Sequence, residues 1–265
     1  MAAMRRTAIL LALVPCCLAL AACGKGGYTV TASARTAATG ATATPAAPRA
    51  GRSPTHAQAL AFARAVNLTA ADVPGFTPSV KHQHESPAER RLEGQLRSCA
   101  GAGGARALQH EPRTLVAAAE SSPDFSLKRG ILEFTVSSEV SVARTSAEAA
   151  ATLAAIRSPH VRACFTSYLS SLLKSQGRLG ANVVGVTIVA GTPPAPGTAG
   201  GFAWRVTATL AIHTFHLSFY FDILGFVDGP ARVTLTSSGT VQPFPGRAQE
   251  QLYSQLLARA RAHTP

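Results

Sequence analysis

Leu132-Glu133-Phe134-Thr135-Val136-Ser137-Ser138-Glu139-Val140-Ser141-Val142 alternates apolar and polar residues with a period of two. Successive side chains of a strand point to opposite faces. The pattern therefore predicts a half-buried strand, with Leu132, Phe134, Val136, Val140 and Val142 inward. The period then changes. Thr145 and Glu148 form a capping box, and Ala149, Leu153 and Ile156 share one face of the Ala-rich helix it opens. Ser158-Pro159 restarts the chain as another helix, whose stripe is Val161, Cys164 or Phe165, Tyr168 and Leu172. Strand first, helices next, is the opening of an α+β fold.

Downstream, Asn182 to Ala190 reads as a strand, and Gly191 to Gly201 is a Pro/Gly loop. A three-strand meander follows. Phe202, Trp204, Val206, Leu210 and Ile212 share a face of its first strand. After His213-Thr214 the parity flips to Phe215, Leu217, Phe219, Phe221 and Ile223, which marks a turn or bulge. Asp228-Gly229 marks the next hairpin, and Ala231, Val233 and Leu235 carry the third strand. Pro245-Gly246 leads into a last helix that buries Leu252 and Leu256.

Upstream, Thr55 caps a helix through Val66, with Ala59, Phe62 and Val66 on one face. Asp72-Val73-Pro74-Gly75-Phe76 is a turn. Ser86-Pro87-Ala88-Glu89 starts a second helix, which points Leu92, Leu96 and Cys99 inward and stops at Gly101. The expected fold is α+β: an antiparallel sheet of about five strands, with helices packed on one face. No internal repeat is visible.

The N-terminus sets the compartment. Arg5 and Arg6 precede Thr7 to Leu20, an uncharged apolar run too short to span a bilayer comfortably. It suits the apolar region of a secretory signal. Leu20-Ala21-Ala22-Cys23 follows. Here the chain resembles the bacterial lipoprotein precursors: an aliphatic residue, two small residues, then an obligatory Cys. The resemblance implies a diacylglycerol on the Cys23 thiol and cleavage before it. The alternative is an ordinary secretory signal. The expected organisation is a signal peptide over 1–22, then an acylated Cys and disordered Ala/Thr/Pro/Gly tether over 23–54. One α+β domain would fill 55–265. The chain is then exported and lipid-anchored to the outer, or periplasm-facing, surface of the membrane.

Composition narrows the partners. The formal net charge of the 265 residues is +12, and near +10 once Arg5 and Arg6 leave. Such a surface is drawn to anionic lipid or wall polymer, and export argues against nucleic acid. Four Lys against 21 Arg also fit a solvated, codon-driven surface. Of five Cys, only Cys99 and Cys164 remain after the signal and Cys23 are set aside. An even pair in an oxidising compartment reads as a disulfide, the alternative being two buried free thiols. It would close a loop of about 65 residues and contribute roughly 3–4 kcal/mol in the chain-entropy model.

Chemistry is mostly excluded. There is no G-x-S-x-G elbow. Gly101-Ala102-Gly103-Gly104 lacks the strand and the Lys-Ser/Thr of a phosphate cradle, and reads as a loop. Glu133 and Glu139 stand about 20 Å apart along one strand, too far to share acid–base work. No cofactor is implied. Two patterns survive. Phe202, Trp204, Phe215, Phe219 and Phe221 form either plain core or a ligand pocket. His82 and His84 share one side of an extended segment and, joined by His110, offer a metal site.

Ser146-Ala147-Glu148-Ala149-Ala150 through Arg162-Ala163-Cys164 resembles a stretch of exported actinobacterial α+β domains. These include the extracellular sensor domains of membrane serine/threonine kinases and Mog1/PsbP-like lipoproteins. A second disulfide, frequent in the sensor domains, is lacking. The resemblance implies a ligand- or partner-binding module without catalysis. The alternative function is a metal-binding or hydrolytic envelope protein using His82, His84 and His110.

Overall fold

The structure is a computed structural model and describes residues 53–79, 87–108, 116–176, 181–212 and 215–265. Cys23, the signal and most of the tether lie outside the described residues, as do His82, His84 and His110.

In chain order the elements begin with α1 (His56–Val66), a 3-10 turn (Ala70–Asp72), β1 (Thr77–Ser79) and α2 (Pro87–Leu108). Next come β2 (Val116–Ser121), β3 (Asp124–Arg129), β4 (Leu132–Ala143), α3 (Ser146–Arg157) and α4 (Pro159–Gln176). The chain closes with β5 (Ala181–Gly191), β6 (Gly200–Ile212), β7 (Phe215–Asp228), β8 (Ala231–Thr240) and α5 (Gly246–Ala262). Among these residues no helix is long and apolar enough to cross a membrane.

All the strands join one antiparallel sheet in the order β1-β3-β4-β8-β7-β6-β5, with β2 also paired to β4. The sheet thus has eight strands rather than about five. Two of the three unexpected strands, β2 and β3, share one cause. β4 is long enough for β3 to pair with its first half and β2 with its second. β2 is largely alanine, a poor strand former by itself, and β1 is three residues long. Pairing to β4 makes β2 and β3 strands, and pairing to β3 makes β1 one, rather than intrinsic propensity.

β4 itself is as its alternation predicts: Phe134, Val136, Val140 and Val142 are buried. Ser138 sits at the one apolar-parity position without an apolar side chain, and it too is buried. Its hydroxyl donates to Asn67 Oδ1 (2.8 Å) and accepts from the Leu68 N–H (2.8 Å). Asn67 in turn donates to the Glu120 carbonyl (2.9 Å). The end of α1 is thereby latched to β4 and β2, and no buried polar group of the latch is left unpaired.

Helices cover both faces of the sheet, not one. Val142 and Phe226 belong to a core with α1 and α5. Their chain neighbours Ala143 and Val227 belong to a second core with α2, α3 and α4. Adjacent residues of a strand face opposite sides, so the two cores are separated by the sheet. The polar run of Glu133, Thr135, Ser137 and Glu139 suggested a wet second face. That face is dry only farther along, where α3 and α4 cover Phe202, Trp204 and Val206.

Thr55 and Thr145 both complete capping boxes, with Gln58 and Glu148 as partners. Gly101 does not end α2. It takes φ 68°, ψ 175° and breaks the helix, which then resumes to Leu108. Gly101 to Gly104 is therefore part of an interrupted helix rather than a loop. Cys99 and Cys164 form a disulfide with a Cα–Cα distance of 5.8 Å, which joins α2 to α4. Cys164 is buried as expected. Cys99 is exposed, not inward, because Leu96 and Ala100 take the inner face of α2.

Candidate functional site

Arg205 and Asp222 stand directly opposite each other on β6 and β7, and Asp222 stands opposite Ser237 on β8. Arg205 Nε donates to Asp222 Oδ1 (2.7 Å) and its Nη2 to Oδ2 (2.9 Å), a two-pronged pair. From the first turn of α5, Gln249 Nε2 donates to Asp222 Oδ2 (3.0 Å) and to the Ser237 hydroxyl (2.6 Å). Asp222 has 4% of its side chain exposed, whereas Arg205 has 50%. The hydrogen bonds to Asp222 raise the Arg205 pKa above its usual value, more than burial lowers it. The guanidinium is thus charged and aimed by a carboxylate that water does not reach.

α5 covers β7 and β8 on this side of the sheet, and the neighbouring part of β5 and β6 is open. Val189 on β5, directly opposite Arg205, is 65% exposed. The result is an open recess of about 210 Å³, lined by Val189, Gly191, Ala203, Arg205, Asp222, Leu224 and Gln249 among others. Arg205 Nη1 makes no hydrogen bond among the described residues. The arrangement offers a fixed planar donor beside an apolar wall. It suits recognition of an acceptor group such as a carboxylate.

The aromatic set read as either core or pocket is spread along two strands. Phe202 and Trp204 are buried in the core under α3 and α4, where Trp204 meets the Phe165 ring at 5.3 Å. Phe221 packs against the same core, and Phe219 is half-buried. Phe215 is 76% exposed at the start of β7, about 20 Å along the strand from Phe221. Packing absorbs the first two and leaves Phe215 apart from them.

The recess residues had a signal in the sequence. Ile212 pairs with Phe215 where β6 and β7 meet, and the same register carries Arg205 to Asp222. Opposite charges at a paired position, both at polar parity, mark a cross-strand ion pair. Gln249 had no such signal, because only packing brings α5 over β7.

No protein-family model matches the chain, and no curated protein matches it in sequence. Among solved structures the chain is weakly similar to the extracellular domain of PknH from Mycobacterium tuberculosis, with 13% identity and a TM-score of 0.42. The similarity covers 80% of this chain and 100% of that one.

Proposed function

We propose that this chain is an exported protein held to the outer face of a membrane by lipid on Cys23, and that its folded unit is a non-catalytic binding module. The ligand occupies the recess beside α5 and presents an acceptor group to Arg205. The observation that carries this reading is the half-exposed Arg205 guanidinium, held by a buried Asp222 that Gln249 holds in turn. A charged group costs several kcal/mol to desolvate, and an apolar pair of similar volume is often as stable. The network therefore contributes orientation more than stability. It leaves donors directed into an open recess, and no serine, cysteine, lysine or histidine stands among the described residues that line it. A basic exported surface would add attraction to anionic headgroups or wall polymer.

The test is native mass spectrometry on residues 51–265, which form one compact unit. The protein is purified from an oxidising export compartment. A reproducible added mass that is lost on denaturation, and absent from Arg205→Gln, is expected. A bare polypeptide mass would turn the reading toward a protein partner. An added mass that persists in Arg205→Gln would place the ligand elsewhere. The anchor is tested separately: Cys23→Ser should move the chain from the membrane fraction to the soluble fraction.

A further inference from the structure

α2 and α4 pack through Leu96, Ala100, Val161 and Phe165, all buried in one core. Gly104 on α2 lies so close to Val161 that an added Cβ would sit 2.7 Å from its Cγ2. This packing does not depend on the S–S bond. It would keep Cys99 and Cys164 neighbours after that bond is broken.

A third ligand stands beside them. His160 precedes Cys164 by one turn of α4, so both lie on one face. His160 Nε2 is 3.8 Å from Cys164 Sγ and 2.8 Å from the Cys99 carbonyl oxygen. The two sulfurs and the imidazole nitrogen all lie within 4.8 Å of one another. In a tetrahedral zinc site, Zn–S of ≈ 2.3 Å and Zn–N of ≈ 2.0–2.1 Å imply an S–N separation of about 3.6 Å and an S–S separation of about 3.8 Å. The sulfur–nitrogen spacing is already near this value. A turn of the exposed Cys99 side chain would set the sulfur–sulfur spacing once the bond is open. Cys99 and His160 are exposed and Cys164 is buried, so an ion could enter from solvent and keep a water as its fourth ligand.

We infer that reduction of the Cys99–Cys164 disulfide converts this corner into a Cys2His site for an ion of the Zn²⁺ class. The reductant is an external dithiol. It gives two protons and two electrons to the protein disulfide, yielding two Cys thiols, and itself closes to a cyclic disulfide. Metal binding then releases both thiol protons. His160 Nε2 gives up its bond to the Cys99 carbonyl and ligates as the neutral ring, with its proton on Nδ1. Two thiolates and an imidazole select zinc and its softer neighbours over magnesium or calcium. The oxidised pair cannot ligate, so the disulfide and the metal exclude each other.

Cobalt(II) is the probe. The mature chain, purified in detergent, is reduced with a dithiol, freed of it without air, and titrated. The expected result is one equivalent of tightly bound cobalt with thiolate-to-metal absorption in the near ultraviolet, displaced by zinc. The oxidised chain and Cys99→Ser/Cys164→Ser should show none. His160→Ala should weaken binding at least ~10-fold, since even outer-shell partners are worth that much. Far-UV circular dichroism of the reduced, metal-free chain should retain its helical signal. The inference is overturned by any of three results: no cobalt absorption after reduction, affinity indifferent to His160→Ala, or loss of the helical signal on reduction alone.

Discussion

Arg259→Met is the substitution that best tests the electrostatic argument. In the wild type, Arg259 near the end of α5 donates from Nη1 and Nη2 to both carboxylate oxygens of Asp72, and from Nη1 to the Asn67 carbonyl (3.1 Å). The side chains are 30% and 7% exposed. Removing one partner of a fully buried pair costs about 3–5 kcal/mol, because the other charge is left without compensation. Arg259 is partly wet, so the expected loss near neutral pH is about 2–3 kcal/mol. Methionine keeps most of the packing of the stem. Burial alone would push the Asp72 carboxyl up. The hydrogen bonds from Arg259 and Thr69 outweigh burial and hold it below its ordinary 3.8. A depressed carboxylate pKa stabilises the fold above the unfolded value, and this contribution is lost as pH falls through the folded value. The penalty of Arg259→Met should therefore be largest near neutrality and shrink below about pH 4, as Asp72 protonates. Urea unfolding of residues 51–265 across this range measures it. A loss of the same size at neutral and acid pH would refute the charge argument and leave only lost packing. A loss under about 0.5 kcal/mol at neutrality would refute the burial argument.

Three further outcomes are expected. Gly225→Ala places a Cβ 2.4 Å from the Phe202 ring and 2.6 Å from the Val233 carbonyl oxygen. It should cost about 1–3 kcal/mol by overpacking; Phe202→Leu in the same chain should recover part of that in thermal melts, and no recovery would mean the carbonyl contact dominates. Tyr253 has a buried hydroxyl without a hydrogen-bond partner among the described residues, and burial pushes its pKa up to about 12. Tyr253→Phe should be neutral or stabilising by about 1 kcal/mol. It should also remove a stability loss that the wild type suffers as pH rises from about 10 toward 12, where the unfolded chain ionises and the folded one does not; identical alkaline profiles would oppose this. Val241 has φ 71°, a left-handed conformation that β-branched residues avoid. Val241→Asn should raise the urea midpoint, by about 1 kcal/mol in stability, and a lowered midpoint would show that its packing outweighs the strain.

Local patterns determined much of this protein. Period-two alternation placed β4, capping residues placed the starts of α1 and α3, and turn residues placed the β6–β7–β8 meander. Each signal spans a few neighbouring residues and acts through backbone geometry, so it can be read in one dimension. The pairing of Cys99 with Cys164 was legible for a different reason: only two cysteines remained. The rest needed the third dimension. The alanines of β2 become a strand only because β4 offers an unpaired edge. Ser138 breaks the apolar pattern of its strand because Asn67 and Leu68 arrive from α1 with the matching donor and acceptor. Cys99 lies outward because α4 approaches α2 from the side of Leu96 and Ala100. The recess has the same origin. Arg205 and Asp222 were within reach of the hairpin register, but Gln249 completes their network only after α5 packs on β7. Hydrogen bonds among distant residues carry no trace in the spacing of any one segment, and tertiary packing alone decides which of them form.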